Sequence, residues 1–167
     1  MSGGLVPEIF SHTADLQAYL VGETPARIFA RAATTVKPPY WDRLTVVCDY
    51  PSGAMGIGEL CTCAVGAGQD YPFELAGDEG RLAGDVVKGE LTLWPKGGEP
   101  RSIAPVRADD PIHGFPGSRE MLQEFTDCIL GRRDAPRAGI AEALATFEIC
   151  DAIEASIASG QVVRCAR

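Results

Sequence analysis

Apolar residues recur at threes and fours in three stretches of this chain and alternate in shorter runs between them. From Gly4 to Leu20, the residues Leu5, Ile9, Leu16, Tyr19 and Leu20 fall mainly at helical spacing. Pro7 fits only an opening turn, so the helix is expected to start near it, and Gly22 supplies its stop. Met121, Leu122, Phe125, Cys128 and Ile129 trace one face of a second helix, with Ser118 as its predicted N-cap and Gly131 behind it. A third helix runs from about Ile140 to Ser159. Its expected apolar face is Ile140, Ala143, Leu144, Phe147, Cys150, Ile153 and Ile157, and Gly160 ends it.

The runs between these helices read as strands. Ala26 to Thr35 is extended, Leu44 to Cys48 has strong strand character, and Ala54 to Val65 returns after the turn Tyr50-Pro51-Ser52-Gly53, which makes a hairpin. Tyr71 to Leu75 and Arg81 to Ala83 flank the turn Gly77-Asp78-Glu79-Gly80. Glu90 to Trp94 is a further strand, residues 95–117 form an irregular connection with room for one short strand, and Val162-Val163 adds an edge strand. A helix, strands in meander order, then helices predict an α+β fold: an open, predominantly antiparallel sheet with helices packed on one face. Leu44, Val46, Val47 and Cys48 are apolar on both sides of their strand. The face away from the helices is therefore expected to seek a partner surface, with a homo-oligomer through that face as the preferred solution and a sheet rolled enough to bury both faces as the alternative.

Composition narrows the picture. With 167 residues, 46% of them hydrophobic, the chain can build one sizeable core, and residues 1–167 are read as a single domain. Fifteen basic against twenty-three acidic residues leave a formal charge of −8, which disfavours nucleic acid or an anionic membrane as partner. No run approaches the roughly 18 apolar residues of a membrane span, and no charged n-region with an apolar stretch opens the chain. Six cysteines at irregular spacing, several inside apolar runs, point to free thiols and a cytoplasmic protein.

Three clusters are candidates for chemistry. Glu8, His12 and Asp15 fall on nearly one stripe of the first helix. A carboxylate beside an imidazole orients its tautomer and raises its basicity, as a general base near neutral pH requires. An ordinary helix surface produces the same spacing. Tyr19, one turn further on, is either a substrate contact or a core residue. Cys61-Thr62-Cys63 sets two thiols on one face of a strand, and zinc would need His12 or His113 beside them. No second close-spaced ligand pair exists, so no metal site is expected. Arg107 and His113, with Arg101, Asp109 and Asp110, lie in the long connection, either as a polar pocket wall or as a solvated loop. Gly66-Ala67-Gly68 lacks the third glycine and the following helix of a dinucleotide fingerprint, so no cofactor-binding residue is assigned.

The segment Ser2-Gly3-Gly4-Leu5-Val6-Pro7-Glu8-Ile9-Phe10-Ser11-His12-Thr13-Ala14-Asp15 resembles the glycine-glycine, acid, histidine, aspartate segment of the glucose–fructose oxidoreductase/inositol dehydrogenase (Gfo/Idh/MocA) family. Asp42 to Asp85, with Gly77-Asp78-Glu79-Gly80-Arg81-Leu82, is similar to that family's paired strands and following turn. Phe125 to Gly131, with Pro136 and the last helix, resembles its closing pattern. The resemblance covers only the C-terminal domain, without the N-terminal Rossmann domain that binds NAD(P) in the family. It implies that His12 falls on the catalytic histidine, that Glu8 stands where an aspartate is usual, and that Asp15 matches a structural aspartate. Asp15, Tyr19, Arg107 and His113 are then expected around a substrate. Lys37-Pro38 follows the motif and is not accepted as the family's catalytic lysine-proline pair.

The resulting expectation is a substrate-binding and oligomerisation domain of a sugar or polyol oxidoreductase-like protein. It would take a small polar or carbonyl-containing ligand. Alone it would not be competent for hydride transfer, and NAD(P) would enter only with a Rossmann-domain partner. Two other readings stay open: a stand-alone isomerase, lyase or cyclase using His12 and Glu8, and a non-catalytic structural or binding oligomer.

Overall fold

In a computed structural model, described over residues 4–36, 41–63, 70–103 and 117–165, the chain forms two compact units. The first comprises residues 1–65 and 138–167, the second residues 66–137. The α+β, antiparallel class is as expected. The strands divide, however, between two four-stranded sheets.

The first unit opens with a π-helical turn, Val6–Phe10, that runs directly into α1, Ser11–Val21. Pro7 sits in the opening turn, where its missing N–H costs nothing, and Gly22 closes the helix in the left-handed conformation at φ 76°. The sheet is built from β1 (Arg27–Ala33), β2 (Arg43–Asp49), β3 (Met55–Cys61) and, after the last helix, a strand of two residues at Val163–Arg164. Its order is β3, β2, β1, then the C-terminal strand, antiparallel throughout.

Residues alternate across this sheet as period-two geometry demands. Ile28, Ala30, Leu44, Val46 and Cys48 point to the buried side, where they meet Val6, Phe10 and Ala14. Gly58 of β3 is placed for that contact: a Cβ there would lie 2.5 Å from Phe10 Cζ, so only glycine lets the aromatic ring down onto the strand. The opposite side carries a cross-strand row of Phe29, Val47 and Ile57, with Met55 beside it. Ile57 is 61% and Met55 67% exposed.

The second unit holds β4 (Pro72–Gly77), β5 (Gly80–Asp85), β6 (Glu90–Pro95) and β7 (Arg101–Ser102), paired in that order. The C-terminal strand Val163–Arg164 is accordingly β8. Asp85 is buried at 6% exposure and organises the turn into β6. It accepts the backbone N–H groups of Val87 and Lys88, both at 2.9 Å, and of Tyr71 at 3.3 Å. Burial pushes the Asp85 carboxyl up, but these hydrogen bonds and Lys88 outweigh it and hold it below its ordinary range. Helix α2 (Ser118–Ile129) also belongs to this unit; Gly117, not Ser118, is its N-cap, and Ser118 is its first helical residue. Its apolar stripe forms as expected, yet none of its residues is buried.

Helix α3, Ile140–Ser159, matches its expected span, and Glu142 reaches back to the Gly139 N–H at 2.8 Å to cap its start. Its buried face differs from the expected one. Thr146, Ile149, Cys150, Ala152, Ile153 and Ser156 face the core, whereas Ile140, Leu144 and Phe147 are 91%, 61% and 52% exposed. The helix is apolar on more than one side, so periodicity alone does not choose which side packs. Ser156 is fully buried and ties α3 into the sheet: its hydroxyl accepts the Ala30 N–H at 2.9 Å and donates to the Gln161 carbonyl at 2.6 Å.

Candidate functional site

Glu8 lies in the π-helical turn, and His12, Asp15 and Tyr19 lie on α1. Single π-turns occur frequently at functional sites, because the extra residue re-phases the side chains before and after it. Here it offsets Glu8 from the regular spacing that His12 and Asp15 keep. All four side chains are on the exposed part of the segment, Tyr19 at 76%. Tyr19 is therefore not a core residue, which settles one of the two alternatives left by its spacing. No ion pair among the described residues includes Glu8 or His12.

The buried side of the same segment is held firmly. Val6 and Phe10 are in the core, Ala14 follows one turn on, and the Cys150 thiol of α3 lies 3.9 Å from the Val6 carbonyl. Asp15 is fixed from α3: the Thr146 hydroxyl donates to Asp15 Oδ1 at 3.0 Å and lies equally close to the Glu142 carbonyl. Thr146 was not among the residues singled out from the sequence. A threonine on the buried stripe of an apolar helix is the only signal that could have found it. A second anchor, Gln17, donates its side-chain amide to the Ile57 carbonyl at 2.8 Å, tying α1 to β3. The helix thus presents a polar side while its other side is held by packing and hydrogen bonds.

Arg107 and His113 lie outside the described residues, as do Lys37 and Pro38 and the glycines Gly66 and Gly68. Among the described residues no group of three or more His, Cys, Asp or Glu could hold a metal ion. An open concavity of ≈ 330 Å³ lies along α2, lined by Arg119, Glu120, Gln123, Glu124, Asp127 and Arg133. Glu124 there accepts the Arg137 guanidinium at 2.8 Å and its backbone N–H as well. That hydrogen bonding outweighs burial, which pushes the carboxyl up, and holds Glu124 below its ordinary range. The concavity is walled by ion pairs internal to the second unit, and none of the sequence-predicted site residues lines it.

Every described strand pair is antiparallel. A dinucleotide cradle needs a parallel strand, a tight glycine turn and a helix N-terminus receiving the pyrophosphate. The described residues offer no such unit. No helix among them is long and apolar enough to cross a membrane.

Residues 1–83 match the family model of the GFO/IDH/MocA C-terminal domain. A myo-inositol 2-dehydrogenase from Thermotoga maritima is 31% identical over 93 residues, which is 53% of this chain and 28% of that protein. Among solved structures, an oxidoreductase domain protein from Kribbella flavida superposes with TM-score 0.82 at 21% identity, over 99% of this chain and 51% of that one. A levoglucosan dehydrogenase in complex with NADH and L-sorbose gives TM-score 0.83 at 21% identity over the same shares. The chain therefore spans about half the length of these solved relatives.

Proposed function

We propose that this chain is the substrate-binding and oligomerisation part of a sugar or polyol oxidoreductase-like protein, a reading supported by the match of residues 1–83 to the GFO/IDH/MocA C-terminal domain and by a shared fold over 99% of its length. The observation that carries this reading is the division of the first helical segment into an immobilised side and a polar side bearing Glu8, His12 and Tyr19. His12 is the group that would take a proton from a substrate hydroxyl, with Glu8 biasing its tautomer and Tyr19 contacting the ligand. Asp15, held by Thr146, is a positioning residue for that side. The ligand is small and polar, a polyol, sugar or related carbonyl compound.

Hydride transfer is not assigned to this chain alone, since the described residues give NAD(P) no cradle. A separate Rossmann domain would supply it. The exposed stripe Ile140, Leu144 and Phe147 on α3 supports the presence of such a covering partner. The row Phe29, Val47 and Ile57 supports self-association of the sheet, so that the two units of the chain serve together as one C-terminal domain of a cytoplasmic oligomer.

The test is ligand binding without turnover. Titrating the isotope-labelled chain with aldoses, inositols and linear polyols is expected to give saturable NMR shifts centred on His12 and Tyr19, lost in His12→Ala. Absence of any such shift across the panel overturns the substrate-binding role. Turnover of a carbonyl substrate by this chain without nicotinamide, abolished by His12→Ala, replaces it with a stand-alone isomerase or lyase.

A further inference from the structure

Six cysteines occupy three chemical environments. Cys48 and Cys150 are buried, and burial first of all pushes their thiols up to about 12 and about 11, away from reactivity. Cys165 is half-buried and raised for the same reason, while Cys128 lies half-buried on α2. Cys61 and Cys63 are different. Cys61 ends β3 as an exposed residue, the chain bends at Thr62, and the Sγ atoms of Cys61 and Cys63 come within 3.4 Å of each other.

The bend is fixed. The Thr62 N–H donates to the Asp42 carbonyl at 2.9 Å. Asp42, itself buried, clamps the loop before β2 by accepting the Thr35 N–H and hydroxyl and the Val36 N–H at 2.7–2.9 Å. A cation completes the site. Arg43 pairs with Cys61 across β2 and β3, and the nearby thiols, Cys63 first and then Cys61, raise the pKa of its guanidinium. A guanidinium beside thiols supplies the positive charge that an attacking thiolate needs.

We propose that Cys61 and Cys63 form a thiol–disulfide exchange site that takes low-molecular-weight disulfides and closes reversibly to a Cys61–Cys63 disulfide. The more exposed Cys61, as its thiolate, attacks one sulfur of the small disulfide; that S–S bond breaks, and one small thiol leaves carrying the electron pair and a proton. Cys63 then attacks the Cys61 sulfur, the bond between Cys61 and the second small thiol breaks, and that thiol leaves likewise. Two protein thiols are oxidised to one disulfide, and the small disulfide is reduced to two thiols. Closure shortens the sulfur separation from 3.4 Å to about 2.05 Å, within reach of side-chain rotation on a fixed bend. In a reducing compartment such a bond is transient and reports the redox state, which is the ordinary use of cytosolic disulfides. The site lies four residues along β3 from Ile57, at the polar end of the open face, so it does not compete with the apolar row.

The experiment treats the reduced full-length chain with glutathione disulfide, quenches with acid, and locates unreacted thiols by alkylation after unfolding. The expected product has lost two hydrogens and four alkylation sites remain, with Cys61 and Cys63 missing from the alkylated set. Cys63→Ser is expected to stop at a stable glutathione adduct on Cys61. Arg43→Gln, at an exposed position, is expected to slow the reaction by roughly tenfold while leaving the fold intact by circular dichroism. Oxidation spread over Cys128 and Cys165, a persisting mixed disulfide in the unmodified chain, a disulfide between two copies, or an unchanged rate in Arg43→Gln would each overturn the proposal.

Discussion

Replacing Ser156 by alanine removes one oxygen atom from the interior and breaks the link between α3 and the sheet. β8 pairs only with Arg27 and Ile28 of β1, so the Ala30 N–H, two residues further along that same margin, has no strand partner and relies on the Ser156 hydroxyl. Ala30 and Ser156 are both fully buried, and water does not reach the orphaned donor. The lost bond to the Gln161 carbonyl costs about 1 kcal/mol, because that exposed residue can turn to solvent. The stranded N–H costs about 1–3 kcal/mol, for a total near 2–4 kcal/mol. For a chain of this size the melting temperature is then expected to fall by roughly 4–16 °C. Hydrogen exchange gives the local readout: protection of the Ala30 amide is expected to drop by a factor of about 30 or more. Ser159→Ala is the control, since Ser159 is exposed and its hydroxyl bonds carbonyls of its own helix and the nearby exposed Gln161 N–H, and it should shift stability by no more than about 0.5 kcal/mol. If Ser156→Ala melts with that control and Ala30 stays protected, the buried hydroxyl is not the tie described above.

Asp85 gives a pH signature. Its carboxyl is held below the ordinary value in the folded chain, so its stabilisation is fully present above the unfolded value of about 3.9 and is lost as pH falls through the folded one. The stability gap between the parent chain and Asp85→Asn, followed by denaturant titration, should be constant from neutrality to about pH 5 and shrink below about pH 4; a gap unchanged at pH 3 contradicts the assignment. Ile57→Lys should convert any oligomer formed through the open face into a smaller species by light scattering, with little loss of stability since Ile57 is already exposed. An unchanged assembly size refutes association through that row.

Most of the secondary structure was legible because local periodicity and turn chemistry agree. The helix over Ile140–Ser159, the strand before Asp49 and the left-handed stop at Gly22 all follow from residues within one or two turns of themselves. What was not legible depends on partners distant in the chain. Which side of α3 packs is decided by β1 and the π-helical turn, because Leu144 and Ile153 are equally apolar. The division into two sheets, β1–β3 with β8 and β4–β7, is one that no single residue announces. Asp42 and Asp85 read as ordinary charged residues in sequence and prove to be buried clamps. At the candidate site the spacing of Glu8, His12 and Asp15 could be read directly. The π-turn that re-phases them and the Thr146 anchor could not: the extra residue of the turn leaves no mark in the spacing, and the anchor comes from a helix more than a hundred residues away.

The hydrogen bonds that Gln17 and Ser156 make to β3 and β1 have a consequence for what this sheet can join. Each occupies a backbone group on a margin of the sheet where another chain would add a strand: the Ile57 carbonyl on one side and the Ala30 amide on the other. Strand addition is a generic, sequence-blind mode of association and the usual route to aggregation. With both margins held by side chains of its own helices, the first unit is steered to meet other molecules through side-chain surfaces instead. Any partner it takes would then be chosen by the identities of a few residues such as Val47 and Ile57, which single substitutions can change without refolding the sheet.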